Sequence, residues 1–239
     1  LITGGSSDIG AAITTRLACS GYGVIIHYHR DESGASALKQ KLIEAGSKAE
    51  TIKADISIEE EVENMFKFID TRTGQLFGLV NNASYANYEV LQNFEELDIE
   101  QLRRMLNVNV VGTINVSKLS VLRMKKTGKG SIVNITSQVT KSGGRGLAHY
   151  ASTKGALATV TKSMANQLGR FNIRVNAVSP GLIRTDNNKA LEASNEAVLA
   201  STIPIGRLGE PKDVAGAVNW LVSDESNYVT GTCIEVAGG

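Results

Sequence analysis

Seven short β-rich runs alternate with helix-period segments along this chain, and no other feature constrains its fold as tightly. The expected strands are Leu1–Thr3, Gly23–His29, Ala49–Lys53, Leu76–Asn81, Ser131–Ile135, Ile173–Val178 and Thr232–Val236. Between them, apolar residues recur every three to four positions in Ile9–Ser20, Ala35–Ala45, Glu59–Thr73, Ile99–Lys126, Ala148–Gly169 and Pro211–Ser223. Strands separated by helices pair in parallel, because each crossover returns the chain to the same sheet edge before the next strand begins. The expectation is an α/β fold, a doubly wound seven-stranded parallel sheet flanked by helices on both faces.

No linker rich in Pro, Gly or Ser, no repeat and no low-complexity tract interrupts the 239 residues, so residues 1–239 read as a single domain. The stretch from Gly181 to Gly209 lacks a strand, and within it about 184–208 is expected to cover a ligand bound at the strand ends. A parallel strand ordinarily runs for several residues before a glycine turn, so the start at Leu1 suggests that the natural chain has residues ahead of it. With 25 basic against 24 acidic side chains, no single-sign field exists to draw the protein onto nucleic acid or an anionic membrane. The expected partners are a small molecule and further copies of the chain. No apolar run approaches the roughly 20 residues of a membrane span, and Leu1-Ile2-Thr3-Gly4-Gly5 carries no charged leader, which reads as a cytoplasmic protein. Cys19 and Cys233 are far apart, without a CxxC or a histidine at ligand spacing, and are expected to be buried thiols rather than a disulfide or a metal site.

Thr3-Gly4-Gly5-Ser6-Ser7-Asp8-Ile9-Gly10 leaves a strand and opens a helix. Such a turn can bring backbone N–H groups and a helix N-terminus to a pyrophosphate, with Gly4, Ser6, Ser7 and Ile9 as contacts; alone, it is as often a mere tight connection. The second strand, Val24 to Arg30, should end at the adenosine ribose, where a carboxylate suits NAD(H) and a cation suits the 2′-phosphate of NADP(H). Tyr28 stands where the acid is sought and Arg30 offers a guanidinium, which favours NADP(H), whereas Asp8 and Asp31 oppose a phosphate and keep NAD(H) open. Asp55, followed by Ile56, is placed either to accept from the adenine amino group or to cap the next helix, a role Ser57 could equally fill. Asn82 and Ala83, in Asn81-Asn82-Ala83-Ser84, allow backbone to pass close to a cofactor.

Tyr150 and Lys154 lie four residues apart in a helical segment, hence on one face about one turn apart. A free phenol, with a pKa of about 10, is a poor base near neutrality, but an adjacent ammonium favours its phenolate. The spacing alone is also that of a trivial surface pair. Ser137 changes the balance: it follows the strand Ser131–Ile135, so it starts from the same sheet edge as the helix of Tyr150 and could hold a substrate oxygen against the phenol. Asn109 could anchor a water that relays protons to Lys154.

In order and spacing, Thr3–Gly10, Asp55, Asn82-Ala83, Asn109, Ser137, Tyr150-Ala-Ser-Thr-Lys154, Ser179-Pro180-Gly181 and Thr185 resemble the short-chain dehydrogenases/reductases over essentially the whole chain. The resemblance implies a Rossmann-type domain and an NAD(P)(H)-dependent oxidoreductase that interconverts a ketone and a secondary alcohol. It implies Tyr150 as acid/base and Lys154 as the residue that orients the nicotinamide ribose and lowers the tyrosine pKa. Ser137 would position the carbonyl, Asn109 support the relay, and Pro180, Gly181, Ile183 and Thr185 lie beside the nicotinamide. A homotetramer built on two long helices and the C-terminal strand region is implied as well. Likeness to acyl-carrier-protein reductases makes a carrier-bound 3-oxoacyl thioester the leading substrate, although Tyr85-Ala86-Asn87-Tyr88 does not look like their corresponding stretch, and sugars, small alcohols and steroids stay open.

Asp8 stands where the family usually has Gly or Ala, Ser84 where it has Gly, and Ala237 where it has an acid. His27-Tyr28-His29-Arg30 and Asn81-Asn82-Ala83-Ser84 are similar to pieces of pteridine reductases, NADPH enzymes that carry aspartate in place of Ser137 and usually arginine in place of Asp8. A nicotinamide-binding regulator without turnover is the reading from another class; it would need none of Asn109, Ser137, Tyr150 and Lys154.

Overall fold

The computed structural model describes residues 1–86, 91–186 and 196–239. Its elements run β1 (Ile2–Thr3), α1 (Asp8–Cys19), β2 (Val24–Tyr28), α2 (Glu32–Glu44), β3 (Ala49–Lys53), α3 (Glu59–Arg72), β4 (Gly78–Asn81) and α4 (Ile99–Leu106). A π-helical turn, Asn107–Gly112, joins α4 to α5 (Thr113–Thr127); then follow β5 (Gly130–Ile135), α6 (Val139–Ser142), α7 (Ala148–Leu168), β6 (Ile173–Pro180), α8 (Pro211–Val222) and β7 (Cys233–Val236). The seven strands form one parallel sheet in the order β3-β2-β1-β4-β5-β6-β7. The order reverses between β1 and β4, where the chain leaves neighbouring strands toward opposite faces and opens a crevice at their C-terminal ends.

Strand alternation decides which helix each residue meets. Ile26, Val80, Val133 and Val178 point to one face and pack with Ile13 and Leu17 of α1 and Val214, Val218 and Leu221 of α8. Their neighbours Ile25, Leu79, Ile132 and Val175 point to the other face, onto Phe66 and Ile69 of α3, Val116 and Met124 of α5, and Leu168 of α7. Burying both faces explains why the strands read as continuous apolar runs.

Three expectations change. Cys19 and Cys233 are exposed, because each sits at the end of an element, Cys19 closing α1 and Cys233 opening the edge strand β7. Neither Asp55 nor Ser57 caps α3: its N-cap is Ile58, while Asp55 Oδ1 accepts the Ser57 N–H (2.9 Å) and hydroxyl (2.6 Å) in a local turn. Among the described residues one helical run, Ile99–Thr127, is long and apolar enough by length and composition to span a membrane. Here it is a core helix, with Met105, Val116 and Met124 buried and Lys118 and Arg123 paired with Glu59 and Asp70 of α3. Polar residues scattered along it prevent a continuous apolar string.

Arg174 of β6 is buried; with Asp224 near enough to attract its charge, it donates to the carbonyls of Leu221, Val222 and Ser223 and to Ser226 Oγ, closing the C-terminal end of α8. Arg174→Met would remove these charge-assisted hydrogen bonds, with Leu221 O keeping the Ser131 and Ser226 hydroxyls and Ser223 O keeping Ser226, and is expected to lower unfolding free energy by about 3 kcal/mol. Urea unfolding checks this; a loss under about 1 kcal/mol would mean that water replaces the guanidinium.

Candidate active site

The glycine turn is held by its neighbours rather than by itself. Thr3 Oγ1 accepts the N–H groups of Asn82 and Ala83, both at 3.0 Å, and Asn82 Nδ2 donates to the carbonyls of Thr3 (3.1 Å) and Gly4 (3.0 Å). Gly4 has φ +59°, and a Cβ there would stand 3.1 Å from Ala83 Cα; one on Gly10 would stand 2.0 Å from the Gly4 carbonyl oxygen. Only glycine allows this close approach of turn, helix and the β4 exit. Ser7 is the N-cap of α1 but makes no side-chain cap, its hydroxyl turning back to Gly4 O at 2.9 Å. The positive end of α1 therefore faces the crevice, a cradle suited to a pyrophosphate.

On one side of this turn lies a cavity of about 580 Å³ whose lining includes Gly4, Ser6, Ser7, Arg30, Asp55, Ile56 and Ala83. Its acids are engaged locally. Asp31 caps α2, accepting from Gly34 N–H (2.9 Å) and the Ser33 hydroxyl (3.1 Å). Burial works against the Asp55 carboxylate, but the hydrogen bonds from Ser57 outweigh it and hold the carboxyl below its usual range; His29 Nε2 lies 3.6 Å from its Oδ2. The buried His27 accepts the Gly4 N–H on Nδ1 (3.1 Å), which leaves Nε2 as the donor to Ala54 O (2.9 Å). Burial pushes its pKa down to about 4, so the ring is neutral at pH 7.

On the other side a cavity of about 180 Å³ is lined by Ser7, Ile9, Asn82, Ser137, Tyr150, Lys154, Pro180, Gly181, Ile183 and Thr185, with Asp8 at its rim. Ser7 and Ser84 border both cavities, making one groove. Lys154 is fully buried, donates to Ile135 O at 2.9 Å and holds its Nζ 5.5 Å from the centre of the Tyr150 ring. Burial alone lowers its pKa to about 8. Ser137 Oγ accepts weakly from Val139 N–H at 3.4 Å and lines the same space as the phenol. The Asp8 carboxylate accepts the Asp186 N–H at 3.2 Å, tying the start of α1 to the chain beyond Thr185. Of the expected cover at about 184–208, residues 187–195 lie outside the described residues, as do Asn87 and Tyr88 of the segment that follows Ser84.

Asn109 sits behind this cavity rather than in its lining. It lies in the π turn and its amide is fully engaged: Oδ1 accepts the Tyr85 N–H (2.7 Å), and Nδ2 donates to Tyr85 O (2.9 Å) and Thr153 Oγ1 (3.2 Å). Thr153 in turn donates to the Tyr150 carbonyl at 2.9 Å. Sequence reasoning missed His27, Thr153, Tyr85 and Arg104, whose guanidinium stacks 4.4 Å over the Tyr85 ring beside the larger cavity. A histidine inside an apolar strand was the one available signal, since a buried imidazole must find backbone partners. A further cavity of about 340 Å³, between Tyr22, Phe77 and Leu76, opens at the opposite, N-terminal ends of the strands, away from all of these groups.

The family model described as enoyl-(acyl carrier protein) reductase matches residues 4–239. The chain is 38% identical to an uncharacterised oxidoreductase of Escherichia coli (strain K12), covering 100% of this chain and 98% of that protein. It is 33% identical to a 3-oxoacyl-[acyl-carrier-protein] reductase of Staphylococcus aureus, covering 100% of this chain and 96% of that one. Among solved structures, an NAD⁺-bound xylitol dehydrogenase superposes with a TM-score of 0.93 at 26% identity, covering 100% of this chain and 96% of its own.

Burying the Lys154 ammonium opposes folding. Its folded pKa of about 8 lies below the unfolded 10.5, so the penalty is complete below pH 8 and fades as pH rises toward 10.5. Lys154→Met should therefore stabilise the protein by about 3 kcal/mol at pH 7, with the gain vanishing near pH 10.5. Denaturant midpoints across that range measure it, and a pH-independent gain would refute the electrostatic origin.

Proposed function

Because this chain belongs to the short-chain dehydrogenase/reductase family of oxidoreductases, we propose that it reduces a ketone to a secondary alcohol, reversibly, with Tyr150 as proton donor. The observation that carries this reading is the meeting of Ser137, Tyr150 and Lys154 in one cavity continuous with the glycine-turn groove. A bound reduced nicotinamide supplies the hydride that the carbonyl carbon receives. Ser137 donates a hydrogen bond to the carbonyl oxygen, and Tyr150 gives that oxygen its proton. The phenolate left behind is favoured by the buried Lys154 charge, which acts in a medium with little water to screen it. Asn109, its amide held by Tyr85 and Thr153, supports from behind the cavity the relay that returns a proton to Tyr150 through Lys154. Oxidation of the alcohol runs the same proton path backward.

NADP(H) is the preferred dinucleotide in this reading. Arg30 borders the adenosine-side cavity, whereas Asp31, the acid that would repel a 2′-phosphate, turns its carboxylate to the α2 N-terminus. NAD(H) suits the xylitol dehydrogenase relative. A 3-oxoacyl thioester is the leading substrate by likeness to the Staphylococcus aureus reductase. Sugars and small polyols are the second class, favoured by the hydroxyl and carboxylate groups of Ser84, Thr136, Thr185 and Asp8 around the smaller cavity. We further place the enzyme in the cytoplasm and read it as a homotetramer, the assembly supported by the exposed apolar side chains Val111, Ile114 and Leu122 along one long helix.

Tyr150→Phe should lower turnover of a ketone panel by about a thousandfold while leaving NADPH affinity within about twofold. Turnover near the parental rate would overturn the mechanism. Arg30→Ala should shift the NADPH-to-NADH affinity ratio toward NADH by about tenfold, measured by fluorescence titration. An unchanged ratio would leave Arg30 as a surface residue.

A further inference from the structure

The buried His27 side chain touches both loops flanking the adenosine end of the groove. Its imidazole is 1% exposed, with Nδ1 on the Gly4 N–H at 3.1 Å and Nε2 on the carbonyl of Ala54, the residue before Asp55, at 2.9 Å. The next amide of the turn, Gly5 N–H, goes to the His27 carbonyl at 2.9 Å. Both leading amides of the glycine turn are thus received by a single residue of β2. Gly4 has φ +59°, and its carbonyl already takes Asn82 Nδ2 and the Ser7 hydroxyl, so a lost amide partner would be felt by every group that shapes the turn.

We infer that His27 is a positioning residue for the dinucleotide: through Nδ1 it sets the orientation of Gly4, and with it the turn at the N-terminus of α1 that receives the pyrophosphate. The inference rests on the dinucleotide reading given above. The role needs a neutral ring with its proton on Nε2, because a protonated Nδ1 could not accept from an amide. The titratable groups nearest the ring are His29 and Asp55, which act on it in opposite senses, and burial, the larger influence, keeps it neutral. His27 touches no reacting atom and lies on the side of the turn away from Tyr150, so its effect belongs in cofactor affinity and not in the chemical step.

Side-chain geometry separates the two arms of the ring. An asparagine places Oδ1 where histidine has Nδ1 and can still accept from Gly4, but does not reach Ala54. A glutamine places its amide nitrogen near the position of Nε2 and keeps only the Ala54 arm. His27→Asn, His27→Gln and His27→Leu, compared with the parental chain, therefore form the test, read by NADPH and NADH titration, by kcat at saturating cofactor, and by amide exchange at Gly4 without cofactor. The expected result is that Gln and Leu weaken both dinucleotides by about tenfold at an unchanged ratio and expose the Gly4 amide, while Asn stays within about threefold and keeps it protected. In all three, kcat should stay within about twofold of parental. Equal losses in Asn and Gln, or parental affinity in Leu, would overturn the assignment. If Leu fails to fold, the Asn and Gln pair decides alone. A parental chain that binds neither dinucleotide would refute the cofactor reading itself, whereas the Gly4 exchange pattern reports on the His27 arm independently of it.

Discussion

Parallel pairing between β1 and β4 is the constraint from which the site follows. Every strand of a parallel sheet delivers its last residue to the same edge, and at β1 and β4 the exits diverge to opposite faces, so a crevice opens that no side chain of either strand can fill. The register Ile2↔Val80 and Thr3↔Asn81 brings Thr3 beside Asn82, and the two hydrogen bonds that Asn82 donates to Thr3, from its backbone N–H and its side-chain amide, lock the crevice walls together. With the walls fixed, the glycine turn has one conformation open to it. Residues that reach the crevice from β5, α7 and β6 then arrive at predetermined distances.

The electrostatics of the groove follow a common rule, that a charge near its walls has a local partner. Asp31 is held by the α2 N-terminus, Asp55 by Ser57, and Asp8 by the Asp186 amide. Lys154 departs from it among the buried charges described, an ammonium whose hydrogen bond runs to a carbonyl and not to a carboxylate. A paired carboxylate would stabilise the fold but would cancel the positive potential at Tyr150. Keeping that potential costs stability, the usual sign of a site shaped for chemistry.

Behind the cavity, the π turn works as a structural joint. Asn109 lies within it and reaches with its side-chain amide to the backbone of Tyr85. Through Thr153 the same amide reaches the helix that carries Tyr150 and Lys154. The chain after β4 and the start of α7 are thereby held to one another by a single buried side chain. The departure of Ser84 from glycine leaves this arrangement intact, since it lines the groove without entering the Asn109 bonds.

Much of this was legible in the sequence because the signals are local. Apolar runs and their periods specify strands and helices, and the spacing of Tyr150 and Lys154 specifies a shared helix face, whatever the rest of the chain does. The residues expected to contact a dinucleotide line the two cavities, since a glycine turn and strand ends in a parallel sheet have only one edge at which to meet. The exposure of Cys19 and Cys233 was not legible, because it depends on which element ends remain uncovered once helices and strands pack. Nor was the engagement of Asp31 or of the Asn109 amide, which depends on backbone groups that folding brings within about 3 Å. Sequence by itself determined the order of strands and helices and the chemical groups at the sheet edge; tertiary structure alone decided which of those groups are already bonded, because hydrogen bonds act over atomic distances that chain spacing does not encode.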